Sequence, residues 1–186
     1  MKRRAVPCML MVLAGLLNLI PDCAGDGSRD YVDFLRELVD LDRLCRIEEG
    51  VVSGQASSYD RKSRYDETLD EYIEWSANGD SGNYLRVDEE TGEGIMAELV
   101  GPGCIHRIWS ANPQGKIRFY LDGDEEPTYE FDFNELFSGN IEPFRTPLVW
   151  QRRIVLGGNN TASDSYLPIP FMHSCKITAD EAHRQY

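Results

Sequence analysis

The sequence predicts an all-β fold, a jelly roll or β-sandwich with one helix near its N-terminus. Two observations carry that prediction. Short runs rich in β-branched and aromatic residues recur along the chain, separated by Gly, Pro, Asn and Asp. Within Lys116 to Leu121 the side chains alternate, with Ile117, Phe119 and Leu121 on one face and Lys116, Arg118 and Tyr120 on the other. A period of two marks a strand buried on one side. The 186 residues suffice for one domain with a real core.

The elements follow in order. Residues 1–25 read as a signal peptide: Lys2-Arg3-Arg4 is basic, Met9 to Ile20 is apolar but too short to span a membrane, and Ala24-Gly25 offers small residues for cleavage. Cys23 raises a lipid anchor, but Asp22 stands where a lipoprotein wants a small residue, so soluble export is the favoured reading. Residues 26–50 form an N-terminal helical segment. Tyr31, Phe34, Leu38, Leu41 and Cys45 fall at helical steps, with Asp30 as N-cap and Asp33 in the first turn. This helix is expected to pack against the sheet or a neighbouring subunit.

Residues 51–186 form the jelly-roll domain. Residues 53–64 read as an ordered loop, and Asp66 to Ile73 as a short turn of helix. Tyr84–Asp88 and Ile95–Val100 read as strands joined by the turn Glu89 to Gly94. Gly101-Pro102-Gly103 is a turn that no helix or central strand tolerates. Three strands are expected next in one antiparallel sheet: Cys104–Trp109, Lys116–Leu121 and Thr128–Phe133, the last with Tyr129, Phe131 and Phe133 on one face. Asp122-Gly123 favours a tight turn because both positions accept positive φ. Phe137 to Pro147 is a loop, Leu148–Leu156 a strand and Gly157–Asn160 a turn. Tyr166 to Phe171 carries Pro168 and Pro170, which confine it to an edge or rim, and Met172–Ile177 closes the set as a strand.

Charge and cysteines narrow the function. The net charge is −13; cleavage after Gly25 removes three basic residues and one acid and moves it to −15. Such a surface repels phosphate backbones, so nucleic acid is excluded as a partner. Cys45, Cys104 and Cys175 remain after cleavage, without Cys-x-x-Cys spacing, and read as buried thiols rather than a zinc site or a bridge. No metalloprotease, serine-hydrolase or phosphate-loop motif occurs. Asp122-Gly123-Asp124-Glu125-Glu126 lacks the ligand spacing of a calcium loop and reads as a solvated hairpin tip. Lone His106, inside a strand pattern, reads as structural. No metal and no cofactor are implied.

Two loops carry groups suited to sugars. Ser57-Ser58-Tyr59-Asp60-Arg61 offers hydroxyls, a phenol, a carboxylate and a guanidinium, which bond sugar hydroxyls in directed pairs while an aromatic ring stacks on the apolar sugar face. The competing reading is that Asp60 and Arg61 only anchor their own loop. Tyr166 to Phe171 is either a pocket wall or plain packing.

These loops, with Gly101-Pro102-Gly103-Cys104-Ile105-His106-Arg107-Ile108-Trp109, Ile117-Arg118-Phe119-Tyr120-Leu121-Asp122-Gly123, Pro127 and Tyr166-Leu167-Pro168-Ile169-Pro170-Phe171, resemble glycoside hydrolase family 172, exported bacterial proteins. In order and spacing the resemblance covers most of residues 50–177. It implies two jelly rolls in tandem, homo-oligomers, and a retaining mechanism on furanosides: α-D-fructofuranosides, difructose dianhydrides or D-arabinofuranosides. It also implies that the two catalytic glutamates lie beyond the Tyr-x-Pro-x-Pro-Phe segment, past Tyr186, so that this chain corresponds to the first half alone and is inactive by itself. After Arg61 the family continues with a Gly/Asn/Asp-rich loop, whereas this chain reads Lys62-Ser63-Arg64-Tyr65-Asp66-Glu67.

The expected function is therefore that of a furanoside-acting glycoside hydrolase, exported to the periplasm or beyond, present as an N-terminal part. The alternative is a non-catalytic carbohydrate-binding or interaction module on a jelly roll. Either way, Ser58, Asp60, Arg61, Trp109 and Tyr166 are the candidate sugar-binding residues, with carbohydrate as the partner.

Overall fold

The computed structural model describes residues 29–75, 82–153 and 161–180. A helix, α1 (Tyr31–Glu37), and a 3-10 turn at Leu41–Arg43 come first. A hairpin follows, β1 (Arg64–Asp66) and β2 (Glu71–Ile73). Then come β3 (Arg86–Val87), β4 (Gly94–Val100), β5 (Gly103–Ile105), β6 (Ile108–Ser110), β7 (Lys116–Leu121) and β8 (Tyr129–Asp132). A short helix, α2 (Phe133–Leu136), leads to β9 (Val149–Arg153), β10 (Thr161–Ser165), β11 (Ile169–Phe171) and β12 (Ser174–Ala179).

The strands form a β-sandwich. One sheet has five strands in the order β3-β4-β12-β7-β8; another has three, β6-β10-β9; β11 pairs with β5, and β1 with β2. Every pairing is antiparallel. The layers share one core. Ile117, Phe119, Cys175, Ile177 and Ala179 from the large sheet pack in one cluster with Val149 of β9, Ile169 and Phe171 of β11, and Phe133, Leu136 and Phe137 in and beside α2. Phe119 is fully buried, its ring 6.4 Å from that of Phe144. Half-buried Leu121, Ile105 and Ile108 pack against the same cluster.

The alternation read in β7 holds on both faces. Opposite the core, Arg118 is 13% exposed and ion-pairs with Glu93 (3.0 Å), Glu130 (2.6 Å) and Asp180 (2.6 Å). Lys116 and Arg118 hold the Glu130 carboxyl below its usual range. The Thr178 hydroxyl donates to Glu93 at 2.7 Å, so the acids here serve the sheet's polar face.

The structure departs from the sequence reading in six places. The helix stops at Glu37 rather than Cys45: Asp40 leaves helical geometry and its carboxylate caps the Asp42 N–H, local bonding that competes with helix continuation. None of α1 is buried, although Phe34 meets His106 with ring centroids 6.1 Å apart. Asp66–Ile73 is a hairpin, not a helical turn: the Asp66 carboxylate accepts the Thr68 and Leu69 N–H groups, and Asp70 turns the chain at φ 53°. The run Cys104–Trp109 breaks into β5 and β6, which pair with different partners; β12, not this run, lies beside β7. Phe133 leaves its strand because the Asp132 side chain caps α2 and turns the ring inward. The three cysteines are unbridged, but Cys45 is exposed and Cys104 half-buried; burial pushes the Cys175 thiol up to about 11. The expected signal peptide and the expected Gly157–Asn160 turn fall outside the described residues, among which no helix is long and apolar enough to cross a membrane.

Asp122 and Gly123 have φ of 55° and 90°, the positive values read from the dipeptide. The turn does more than reverse the chain. Asp122 Oδ1 accepts the N–H groups of Met172 (2.7 Å), His173 (2.6 Å) and Ser174 (3.3 Å) at the bend between β11 and β12. A Cβ on Gly101 would stand 2.6 Å from the Met172 carbonyl oxygen, so only glycine fits on the other side of that bend.

Phe119→Ala is expected to cost about 3–5 kcal/mol, the range for emptying a packed aromatic site. An unchanged urea midpoint would contradict the burial. The His173 N–H foremost, then those of Ser174 and Met172, holds the Asp122 carboxyl below its ordinary 3.8. A depressed folded pKa contributes stability that is fully present above the ordinary 3.8 and is lost as pH falls below it and on through the folded value. Asp122→Asn should therefore be less stable than the parent at neutral pH, and the gap should close in acid. Denaturation midpoints measured from pH 7 down to pH 3 check this; a gap that stays constant refutes it.

Candidate aromatic binding face

The three-stranded sheet turns one face inward and one outward. Ser110, Ser163, Ser165 and Val149 lie on the inner face, each fully buried. On the outer face Asp164 of β10 stands directly opposite Trp109 of β6 on one side and Trp150 of β9 on the other. Residues paired this way project to the same side of a sheet. The two indoles are two strand spacings apart, about 10 Å. They are 53% and 39% exposed, whereas Asp164 between them is 4% exposed.

The buried carboxylate is paired. Arg107 donates to Asp164 Oδ1 from Nε at 3.0 Å and from Nη2 at 2.7 Å, which stabilises the cation and raises the guanidinium's pKa further. Arg107 also lies 5.6 Å from the centre of the Tyr166 ring, a cation–π contact. Arg107 and Tyr166 stand just outside β6 and β10, two residues from Trp109 and Asp164, and the contacts of Arg107 with Asp164 and Tyr166 bring them to this side. Asp164 thus orients Arg107, and Arg107, half exposed, presents its other N–H groups to solvent. Three aromatic rings around a fixed guanidinium can stack on an apolar surface and donate to hydroxyl oxygens at its edge.

Of the residues singled out in the sequence, Trp109 and Tyr166 come together on this face. Ser58 and Arg61 come together around Asn83, while Asp60 bonds within its own loop. Arg61 Nη2 donates to the Ser57 carbonyl at 3.0 Å, and Nη1 donates to the Asn83 carbonyl. The Asn83 amide donates in turn to the Ser58 carbonyl at 3.0 Å. Arg61 lies 4.8 Å from the centre of the Tyr59 ring, and Asp60 accepts the Lys62 N–H. These are the loop-anchoring bonds that the competing reading expected. Arg107, Trp150 and Asp164 were missed; the two-residue steps to Trp109 and Tyr166 were the signal that could have found the first and last. At the hairpin tip, Asp122 is taken by backbone amides rather than by a cation.

Antiparallel sheets around a shared core, with an aromatic and polar outer face, define a β-sandwich module. A family model of the GH172 first β-sandwich domain matches residues 49–186, and the chain belongs to this glycoside hydrolase family. No curated protein and no solved structure matches it.

A double-mutant cycle on Arg107→Ala and Asp164→Asn tests the pair. Arg107→Ala alone should cost about 1–3 kcal/mol, because it strands a buried charged acceptor. The coupling between the two changes should exceed the ~0.3–0.5 kcal/mol scatter of independent sites. Urea unfolding of the four proteins measures it, and simple additivity would show that the bond contributes nothing.

Proposed function

We propose that this domain recognises sugar for a furanoside-acting glycoside hydrolase. The observation that carries the reading is the row Trp109–Asp164–Trp150 with Arg107 fixed beside it. Two exposed indoles offer faces for the C–H side of a sugar ring, and the oriented guanidinium offers donors for its hydroxyls. Tyr166 borders the same face, and the separate loop that carries Ser58, Asp60 and Arg61 is a second candidate for sugar contact. Membership in the glycoside hydrolase family makes a carbohydrate the natural ligand class, and the motifs shared with that family favour furanosides.

Cleavage is assigned elsewhere. Retaining hydrolysis needs two carboxyl groups about 5–5.5 Å apart, one ionised and one protonated. Asp164 is held by Arg107 as a paired carboxylate, which suits orientation rather than attack on a sugar. The two catalytic glutamates that the family resemblance implies then lie outside this domain, in an enzyme that is exported and oligomeric as the same resemblance implies. This chain binds and does not turn over.

Calorimetric titration with an aryl α-D-arabinofuranoside and with a difructose dianhydride tests the proposal. The parent should bind one of them without releasing product. Trp109→Ala and Trp150→Ala should each weaken binding about tenfold, the equivalent of one lost stacking contact. Undiminished binding in both variants would remove the aromatic face from the site. Turnover that vanishes when one acid of this chain becomes its amide would show that the catalytic pair lies within it.

A further inference from the structure

A second aromatic surface sits on the β1–β2 hairpin. Tyr65 and Tyr72 are direct partners in its register, so both rings stand on one side. Their centroids are 5.3 Å apart in an edge-to-face arrangement, and Trp75 continues the row 6.1 Å from Tyr72. The three side chains are 47%, 65% and 69% exposed. The hairpin pairs with no further strand among the described residues. A lone two-stranded hairpin is marginal in water, and leaving its rings exposed forgoes the burial that would stabilise it.

We infer that this hairpin is a glycan-binding element, taking a neutral, soluble sugar chain along the row Tyr65–Tyr72–Trp75. The inference rests on the carbohydrate reading above and adds to it a site for several consecutive sugar units. Charge decides between occupants. The hairpin carries Asp66, Glu67, Asp70, Glu71 and Glu74 against the single cation Arg64, on a chain of net charge −13. A second copy would bring the same acidic rim and be repelled, as would an anionic membrane or an acidic glycan. A neutral polyol is not repelled, and Asp70, which accepts the Tyr65 hydroxyl proton, helps hold the first ring in place for it.

Ring geometry narrows the ligand further. Successive rings are inclined by 60° and 51°, so they form a trough rather than a plane. Coplanar rings suit the flat face of a crystalline polymer; inclined rings suit a chain that twists between units. Edge contact between Tyr65 and Tyr72 also holds both rings in place before binding, which lowers the side-chain entropy lost on association.

Affinity electrophoresis and calorimetry of the full chain with linear arabinan and inulin, beside the short aryl furanoside, test the inference. Tyr72→Ala and Trp75→Ala should each weaken binding to one of the polymers about tenfold, leave binding of the short glycoside unchanged, and be rescued by Tyr72→Phe and Trp75→Phe. Polymer binding that weakens only in Trp109→Ala would overturn the hairpin's role while leaving the aromatic face intact. Binding of neither polymer nor glycoside by the parent would overturn both readings. A fall in sedimentation coefficient in the hairpin variants at unchanged polymer affinity would show a protein contact instead, and would also overturn it.

Discussion

The fold depends on one bend, where the chain passes from β11 to β12 and so from the small pair of strands into the large sheet. Three successive N–H groups, those of Met172, His173 and Ser174, point at a single carboxylate oxygen of Asp122. From the other side Gly101 donates its N–H to the His173 carbonyl at 2.8 Å, with no room for a side chain. The bend is thus held by a residue of the β7–β8 turn and by one of the β4–β5 turn. Backbone groups that a sharp bend would leave unpaired are satisfied from both sides.

That clamp fixes the strand leaving the bend. β12 comes last among the described strands, yet it lies between β4 and β7 at the centre of the five-stranded sheet. Cys175 faces Leu121, and Ile177 faces Phe119. A shift of one residue would turn Cys175, Ile177 and Ala179 outward and bring Lys176 into the core, because side chains alternate with a period of two. The register therefore matters to the whole sandwich, and Asp122 sets it where the strand begins. The same passage carries Tyr166 and Asp164 just upstream, so the bend that closes the core also limits where the aromatic face can lie.

Local chemistry was legible in the sequence; partners distant along the chain were not. The faces of β7, the positive φ of Asp122 and Gly123, the β3–β4 hairpin and the edge position of Pro170 all follow from alternation and turn residues. The placement of β12 beside β7 does not, since it joins residues more than fifty positions apart and leaves no periodic mark in either. Cys104–Trp109 read as one strand because its composition is uniformly β-like; the break at His106-Arg107 serves two different sheets and is a tertiary decision. The hairpin at Asp66–Ile73 was missed because short polar segments carry both periods weakly, and the Tyr65–Tyr72 pair that settles it spans the turn. At the aromatic face, Trp109 and Tyr166 stood out by type. Asp164 did not, being one acid among 32 Asp and Glu until its burial and its bond to Arg107 set it apart.

Exposed aromatic rings on so acidic a protein form a coherent pair of features. Burying a large apolar side chain is worth about 1.5–3 kcal/mol, so Trp109, Trp150, Tyr72 and Trp75 each represent stability that the fold does not recover. Exposed rings ordinarily invite association between copies. A net charge of −13 opposes that association at long range and leaves the rings available to ligands that carry no charge. Sugars match both conditions: their ring faces are apolar enough to stack, and their hydroxyls accept from a guanidinium and donate to carboxylates without ionisation on either side. Anionic ligands meet the Arg107 cation, already shared with Asp164, inside a field of net negative charge. The proposed sugar face would therefore discriminate by charge before any contact forms, and by ring stacking and hydrogen-bond direction afterwards.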